Sequence, residues 1–240
     1  RGYIMAGTLG CVVIDNTDGE RCILSNNHVL ADCDSDTDSR ANVGDPIVQP
    51  GTLDGGTCTT DVDRIATLKR WIQFNSTGDN LADAAIGDII HDSDISDEIG
   101  CDLGRVQGIR ELTEDDIDVL QVQKCGRTTC HTTGTVIDID VTVNVEYGTG
   151  AVYRFIHAIF FTDMSDPGDS GSLILDMDMK AVGLLFAGSD TVTVANPIQT
   201  VLGQMNVAFP PPPALHCRIG GPDSRLVYCR IGGPFRRVYC

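Results

Sequence analysis

Between residues 136 and 146 the chain alternates with a period of two. Ile137, Ile139, Val141, Val143 and Val145 are separated by Asp138, Asp140, Thr142, Asn144 and Glu146. A helix, with its period of 3.6, scatters those apolar side chains around its axis; a strand puts them all on one face. The stretch therefore predicts a long strand with one wet face, whose dry face must pack against other elements. Gly148-Thr149-Gly150 turns the chain, and Ala151 to Phe161 returns as a second strand. Shorter runs repeat the theme. Leu9 to Ile14 and Arg21 to Ser25 flank a polar break containing Asp18-Gly19, a hairpin signature. Leu173 to Leu175 and Ala181 to Phe186 flank Asp176-Met177-Asp178.

Helix signals are few. The best is Asn196-Pro197 followed by Ile198, Val201, Leu202 and Met205, with Asn as N-cap and Pro at the first helical position. One late helix after a run of strands makes this an all-β chain. Its 240 residues suit one or two small domains. Beyond the helix, Pro210 to Pro213 form a stiff extended linker. A repeat follows: Cys217-Arg-Ile-Gly-Gly-Pro-Asp-Ser-Arg-Leu-Val-Tyr, then Cys229-Arg-Ile-Gly-Gly-Pro-Phe-Arg-Arg-Val-Tyr-Cys240.

Charge separates this tail from the body. Residues 217–240 carry five Arg against one Asp, and residues 1–216 carry 12 basic against 33 acidic side chains, so +4 and −21 sum to the net −17. A chain this acidic lacks the clustered Lys and Arg that nucleic acid needs. A basic, cysteine-bearing tail on an acidic body is expected to dock on its own body or on a neighbour, giving an oligomer or filament through residues 210–240. Ten cysteines without a CxxC pair point to disulfides in an oxidising compartment rather than to a zinc site. Cys11 and Cys22 fall on neighbouring strands, which leaves a bond between them open; so does the spacing of Cys125 and Cys130. No apolar run is long enough to span a membrane. The chain starts at Arg1 without methionine, as expected of a trimmed product whose export signal is gone. The expected location is secreted, extracellular or cell-surface.

The strongest chemical signal is Gly168-Asp169-Ser170-Gly171-Ser172. A serine hydroxyl becomes a useful nucleophile when a base takes its proton. The charge that then develops on a substrate carbonyl needs fixed N–H donors, here the amides of Gly168 and Ser170. Small neighbours let the backbone turn tightly enough to aim them. A base is at hand in Leu24-Ser25-Asn26-Asn27-His28-Val29-Leu30, where a histidine follows an apolar strand. A carboxylate to orient it is offered by Asp83-Ala84-Ala85-Ile86, with Asp88 as rival; 29 aspartates make such coincidences common.

In order and in local motif, His28, Asp83 and Ser170 resemble the catalytic residues of chymotrypsin-like (trypsin-like) serine peptidases. Gly183-Leu-Leu-Phe-Ala-Gly188 resembles the strand that lines the family's primary specificity pocket. Lys124-Cys-Gly126-Arg127-Thr128-Thr129, with Thr132, Gly134 and Val136, is similar to the opening of the second barrel in the bacterial and plant NARROW LEAF 1-like branch. The likeness covers about residues 5–207. It implies the trypsin-like serine protease fold: two six-stranded antiparallel β-barrels, the first over 1–110 with His28 and Asp83, the second plus a short helix over 111–207 with Ser170, then the tail 208–240. The implied activity is that of a serine endopeptidase on protein or peptide substrates, through an acyl-enzyme, with no metal or cofactor. The pocket would involve Met164 at its floor with Phe186 and Gly188; Met164, in place of an acid, points to an apolar P1 side chain rather than Arg or Lys. Arg1-Gly2-Tyr3 bears no likeness to the new N-terminus that animal members pair with the residue before the serine, so Asp169 needs another partner. The competing reading is an assembly subunit that keeps the fold without turnover.

Asp32, Asp34, Asp36 and Asp38 alternate after the histidine and could wrap Ca²⁺, although they lack the mid-loop Gly and terminal Glu of an EF-hand. A solvated acidic loop is the plainer expectation. His91, His131, His157 and His216 show no ligand spacing.

Overall fold

The computed structural model describes residues 6–59, 61–148 and 150–212, together with the backbone of 216–217 and 227–228. The chain divides into two units, 1–210 and 211–240. In the second, strands His216–Cys217 and Val227–Tyr228 pair antiparallel. The remainder of the repeat, and with it the expected docking of the tail, lies outside the described residues.

The first unit contains two large sheets. One runs Val207–Ala208, Cys11–Asp15, Arg21–Ser25, Ala85–Ile89, Arg64–Trp71, Pro46–Val48. The other runs Cys130–Tyr147, Gln121–Gly126, Leu173–Asp176, Lys180–Gly188, Val192–Pro197, Ala151–Thr162, and the last of these pairs back onto the first. That contact closes six antiparallel strands into a barrel, which leaves no free edge around the ring. Two short strands add in parallel: Asp79–Asn80 beside Ala151–Thr162, and Gly108–Ile109 beside Lys180–Gly188.

The period-two stretch is the wet outer run of Cys130–Tyr147. Asp138, Asp140, Thr142, Asn144 and Glu146 are exposed and the apolar residues between them are half-buried. Each sheet has its own core: Val12, Ile23, Ala66, Leu68 and Ala85 in the first, Val122, Val136, Phe161, Ile174 and Leu185 in the second. A third core joins them, with Val13, Leu24 and Ile86 against Leu173, Leu184, Ile198 and Met205. Burying each such side chain contributes roughly 1.5–3 kcal/mol, so the two sheets are held together by apolar packing as well as by chain connectivity.

The helix forms over Ile198–Met205, one residue later than the capping pattern predicts. Pro197 takes the cap position as the last residue of the preceding strand, and Asn196 lies within that strand. Its side-chain oxygen is already engaged by the amide of Asp83 at 2.9 Å, so it makes no capping bond. Asn206 closes the helix in the left-handed conformation, φ 51°.

The structure settles both cysteine pairings that the sequence left open. Cys11 and Cys22 are both buried free thiols: the register sets Cys11 opposite Leu24 and Cys22 opposite Val13, two residues out of step. Cys125 bonds Cys101, with Cα atoms 6.0 Å apart, and Cys130 is free and exposed.

Candidate active site

Asp83 lies where the chain passes from one sheet to the other. Asp79–Asn80 belongs to the edge of the second sheet and Ala85–Ile89 to the first, so the intervening turn must cross the junction. His28 sits in the four-residue helix Asn27–Leu30, directly after the strand Arg21–Ser25. Two asparagines fix it there. Asn26 donates to the Asp83 carbonyl at 2.8 Å, and Asn27 donates to the carbonyls of Asp34 and Ile72 while accepting from the Asp34 amide. The result is a buried pair: His28 Nδ1 is 2.5 Å from Asp83 Oδ2, and the His28 amide donates to Asp83 Oδ1 at 3.2 Å. A carboxylate on Nδ1 places the Nδ1 proton and leaves Nε2 as the free base. Asp88, the rival, lies further along its strand, paired with Lys69 at 2.7 Å and away from His28.

Ser170 stands on a tight loop pinned between the two sheets. The Thr8 amide donates to the Ser170 carbonyl at 2.8 Å, Gly171 N donates to Leu185 O at 2.8 Å, and Thr8 Oγ1 donates to Gly168 O at 3.0 Å. Gly171 has φ +94°, and a Cβ there would lie 2.2 Å from both Ser25 Oγ and Thr8 O. Only glycine fits a position that is both left-handed and this crowded. Gly7 is wedged in the same seam; a Cβ on it would meet the Val29 methyls at 2.6 Å and Ser170 O at 3.2 Å. The serine backbone is thus one glycine away from the residue that follows His28. Among the described residues no hydrogen bond joins Ser170 Oγ to His28, and neither the Gly168 nor the Ser170 amide donates to any other group. Free N–H donors flanking a nucleophile are what a developing oxyanion requires.

Asp169, beside the serine, is fully buried and finds an internal cation. Lys124 Nζ is 2.9 Å from Asp169 Oδ2, and the lysine side chain is itself fully buried. The carboxylate also accepts from the Thr129 hydroxyl at 2.6 Å and from the amides of Thr128, Thr129 and Asp166 at 2.8, 3.1 and 3.1 Å. Burial pushes this carboxyl up, but those donors together hold it below the usual carboxylate range. A lysine of the barrel wall therefore meets the Asp169 charge.

Met164 is buried in the second-barrel core, its sulfur against Gly134, with its backbone held by Thr132 and Thr193. Phe186 packs on the Phe155 ring, centroids 4.8 Å apart. Gly188 is exposed; beside it stand Ser165 Oγ and Thr193 Oγ1, 2.7 Å apart. The four aspartates after the histidine do not converge. Asp34 is buried and accepts from Trp71, Gln73 and the amides of Arg40 and Ala41; Asp36 accepts from Ser76 N; Asp32 and Asp38 face Arg40. Among the described residues no group of three or more His, Cys, Asp or Glu is placed to hold a metal ion. His131 bonds Gln123 and His157 faces Asp140.

Pattern reading placed Lys124 in a strand opening and Asn196 at a helix cap, and missed their bonds to Asp169 and Asp83. It also missed Tyr147, whose hydroxyl donates to Asp83 Oδ2 at 2.7 Å. Each reaches the site through the fold rather than through local spacing.

Comparison with solved structures matches this architecture. Nocardiopsis protease superposes with a TM-score of 0.56 at 17% identity, over 85% of this chain and 97% of that one. Thermobifida fusca protease A gives 0.56 at 18%, over 86% and 98%. Cellulomonas bogoriensis chymotrypsin gives 0.52 at 16%, over 86% and 97%. The fold is that of the chymotrypsin-like serine proteases. No family model matches the chain, and no curated protein does. Among the described residues no helix is long and apolar enough to cross a membrane.

Proposed function

We propose that this chain is a serine endopeptidase in which Ser170 is the nucleophile, His28 the general base and Asp83 the group that orients the imidazole. The observation that carries the reading is the buried His28–Asp83 pair, set in the same seam as a serine flanked by two unengaged amides. In this reading Ser170 Oγ attacks the scissile carbonyl and its proton passes to His28 Nε2. The carbonyl oxygen, now negative, is met by the amides of Gly168 and Ser170. His28 returns the proton to the leaving amine, and water then repeats the cycle on the acyl-enzyme. Asp83 holds the ring in place and stabilises the transient imidazolium. Proton and charge are both accounted for by these side chains, so the reaction requires no metal or cofactor. An Oγ–Nε2 hydrogen bond that tightens only when substrate is bound is ordinary in such sites.

Lys124 at Asp169 favours a site that assembles without a newly cut N-terminus. The same Lys124–Thr129 segment favours the NARROW LEAF 1-like branch. Met164, in place of an acid, favours an apolar P1 side chain over Arg or Lys, and the Cys101–Cys125 disulfide favours an extracellular setting. A second reading, an assembly subunit with a silent site, is favoured by the charge contrast between body (−21) and tail (+4).

The test is labelling of native protein by a fluorophosphonate, with Ser170→Ala as control. Labelling of the native chain that is lost in the variant supports the enzyme. Folded native protein that takes no label overturns it and leaves the assembly reading.

A further inference from the structure

Tyr147 is the last residue of the long strand Cys130–Tyr147, at the tip of the hairpin that Ala151–Thr162 completes. It falls on the dry phase of the period-two pattern and is buried. A buried phenol needs a partner for its hydroxyl. Here that partner is Asp83 Oδ2, the same oxygen that accepts from His28 Nδ1, while Oδ1 takes the His28 amide. The ring is fixed on both sides, stacked on Phe74 at 5.3 Å between centroids and 5.0 Å from the imidazole of His28. Tyr153 and Phe155 pack on the same cluster. The hairpin also grips the chain just ahead of Asp83: Asn80 pairs with Phe155 in register, and its side chain donates to Arg154 O at 3.1 Å.

We propose that Tyr147 is a positioning residue of this site, whose hydroxyl, delivered from the second sheet, fixes Asp83 Oδ2 toward His28. The inference rests on the peptidase reading above. A carboxylate held by one donor can rotate about its Cβ–Cγ bond and present either oxygen. With Oδ1 tied to the His28 amide and Oδ2 to Tyr147, one orientation remains, and it is the one that holds the imidazole. Burial first, and the neighbouring Asp83 charge second, push the Tyr147 hydroxyl well above the ordinary range for a phenol. It therefore stays protonated, and a donor, at any pH where the enzyme would work. The Tyr147 hydroxyl reaches the site through Asp83 Oδ2.

The full chain with Tyr147→Phe tests this, because phenylalanine keeps the stack on Phe74 and removes only the hydroxyl. The readout is fluorophosphonate inactivation, separated into its maximal rate and its half-saturating concentration. The maximal rate is expected to fall at least tenfold, with half-saturation within twofold and Tm within a few degrees. Combined with Asp83→Asn, the tyrosine change should cost nothing further, since its effect passes through that carboxylate. A folded Tyr147→Phe protein that inactivates within twofold of native, or a double variant whose losses multiply, overturns the proposal. Should Tyr147→Phe fail to fold, 3-fluorotyrosine keeps the shape and alters the donor; an unchanged maximal rate then overturns it. Native protein that takes no label at all defeats the peptidase reading itself, whereas native labelling with an indifferent Tyr147 defeats this inference alone.

Discussion

Replacing Lys124 by methionine isolates the internal cation that holds the nucleophile loop. Methionine is close in length to lysine and apolar, so the change removes a charge without opening a large cavity. Asp169 would remain fully buried and ionised with its cation gone. Breaking a buried pair from one side costs about 3–5 kcal/mol. The low end applies here, because Asp169 keeps the Thr129 hydroxyl and the amides of Thr128, Thr129 and Asp166. The mirror change, Asp169→Asn, strands the ammonium with the Thr129 hydroxyl and the Cys130 carbonyl, so it takes the high end, about 5 kcal/mol. At roughly 2–4 °C per kcal/mol for a chain of this size, Lys124→Met should lower Tm by about 6–12 °C, and Asp169→Asn by more. The two together should cost less than their sum. Scanning calorimetry at neutral pH reads the order, and the fluorophosphonate rate reads the loop, since Asp169 lies between the two proposed oxyanion amides. A Lys124→Met protein within 1 kcal/mol of native that labels at the native rate would refute the reasoning, as would additive losses.

Acid should destabilise the body. Asp15 is held low by Arg70, Lys69 and Thr17 donors that outweigh its burial; for Asp34, Asp116 and Asp169 burial pushes upward and their hydrogen-bond donors prevail. Each folded value lies below the unfolded one, so the stability they contribute is present above about pH 4 and is lost as pH falls below it. Urea midpoints that stay flat from pH 7 down to 3 would contradict this. Among the described cysteines, Cys58 and Cys130 are exposed, whereas burial pushes Cys11, Cys22 and Cys33 up to about 12. Maleimide should therefore modify the first two in native protein and reach the other three only after denaturation, as peptide mapping would show; rapid native labelling of Cys11 would contradict the packing.

Strand content was legible because it is written locally. The alternation from Ile137 to Glu146 and the spacing of Ile198, Val201, Leu202 and Met205 each fix a face without reference to the rest of the chain. Choosing among carboxylates was harder. Asp83 and Asp88 share one apolar context, and only the strand's path settles that Asp88 faces Lys69 while Asp83 faces His28. Lys124 reads as an ordinary polar residue in a strand; its burial follows from the approach of a loop 45 residues away. Tyr147 reads as the end of an alternating strand, and its partner is 64 residues distant. The sequence leaves a Cys11–Cys22 bond open for a related reason. Neighbouring strands bring residues close, but only the register decides which side chains meet.

These long-range partners share a pattern. Asp83 takes donors from the first sheet through the His28 ring and amide, and from the second through Tyr147, while its own amide donates to Asn196 of the second. Ser170 belongs to the second sheet's loop yet is pinned by Thr8, which leads into the first. No single sheet carries a complete set. The core that joins them, Leu24 and Ile86 against Leu173 and Leu184, is therefore what brings His28, Asp83 and Ser170 into one seam. A change that loosens that shared core would separate the three side chains before either sheet lost its own hydrogen bonds. The proposed activity is accordingly a more sensitive gauge of sheet docking than strand content is.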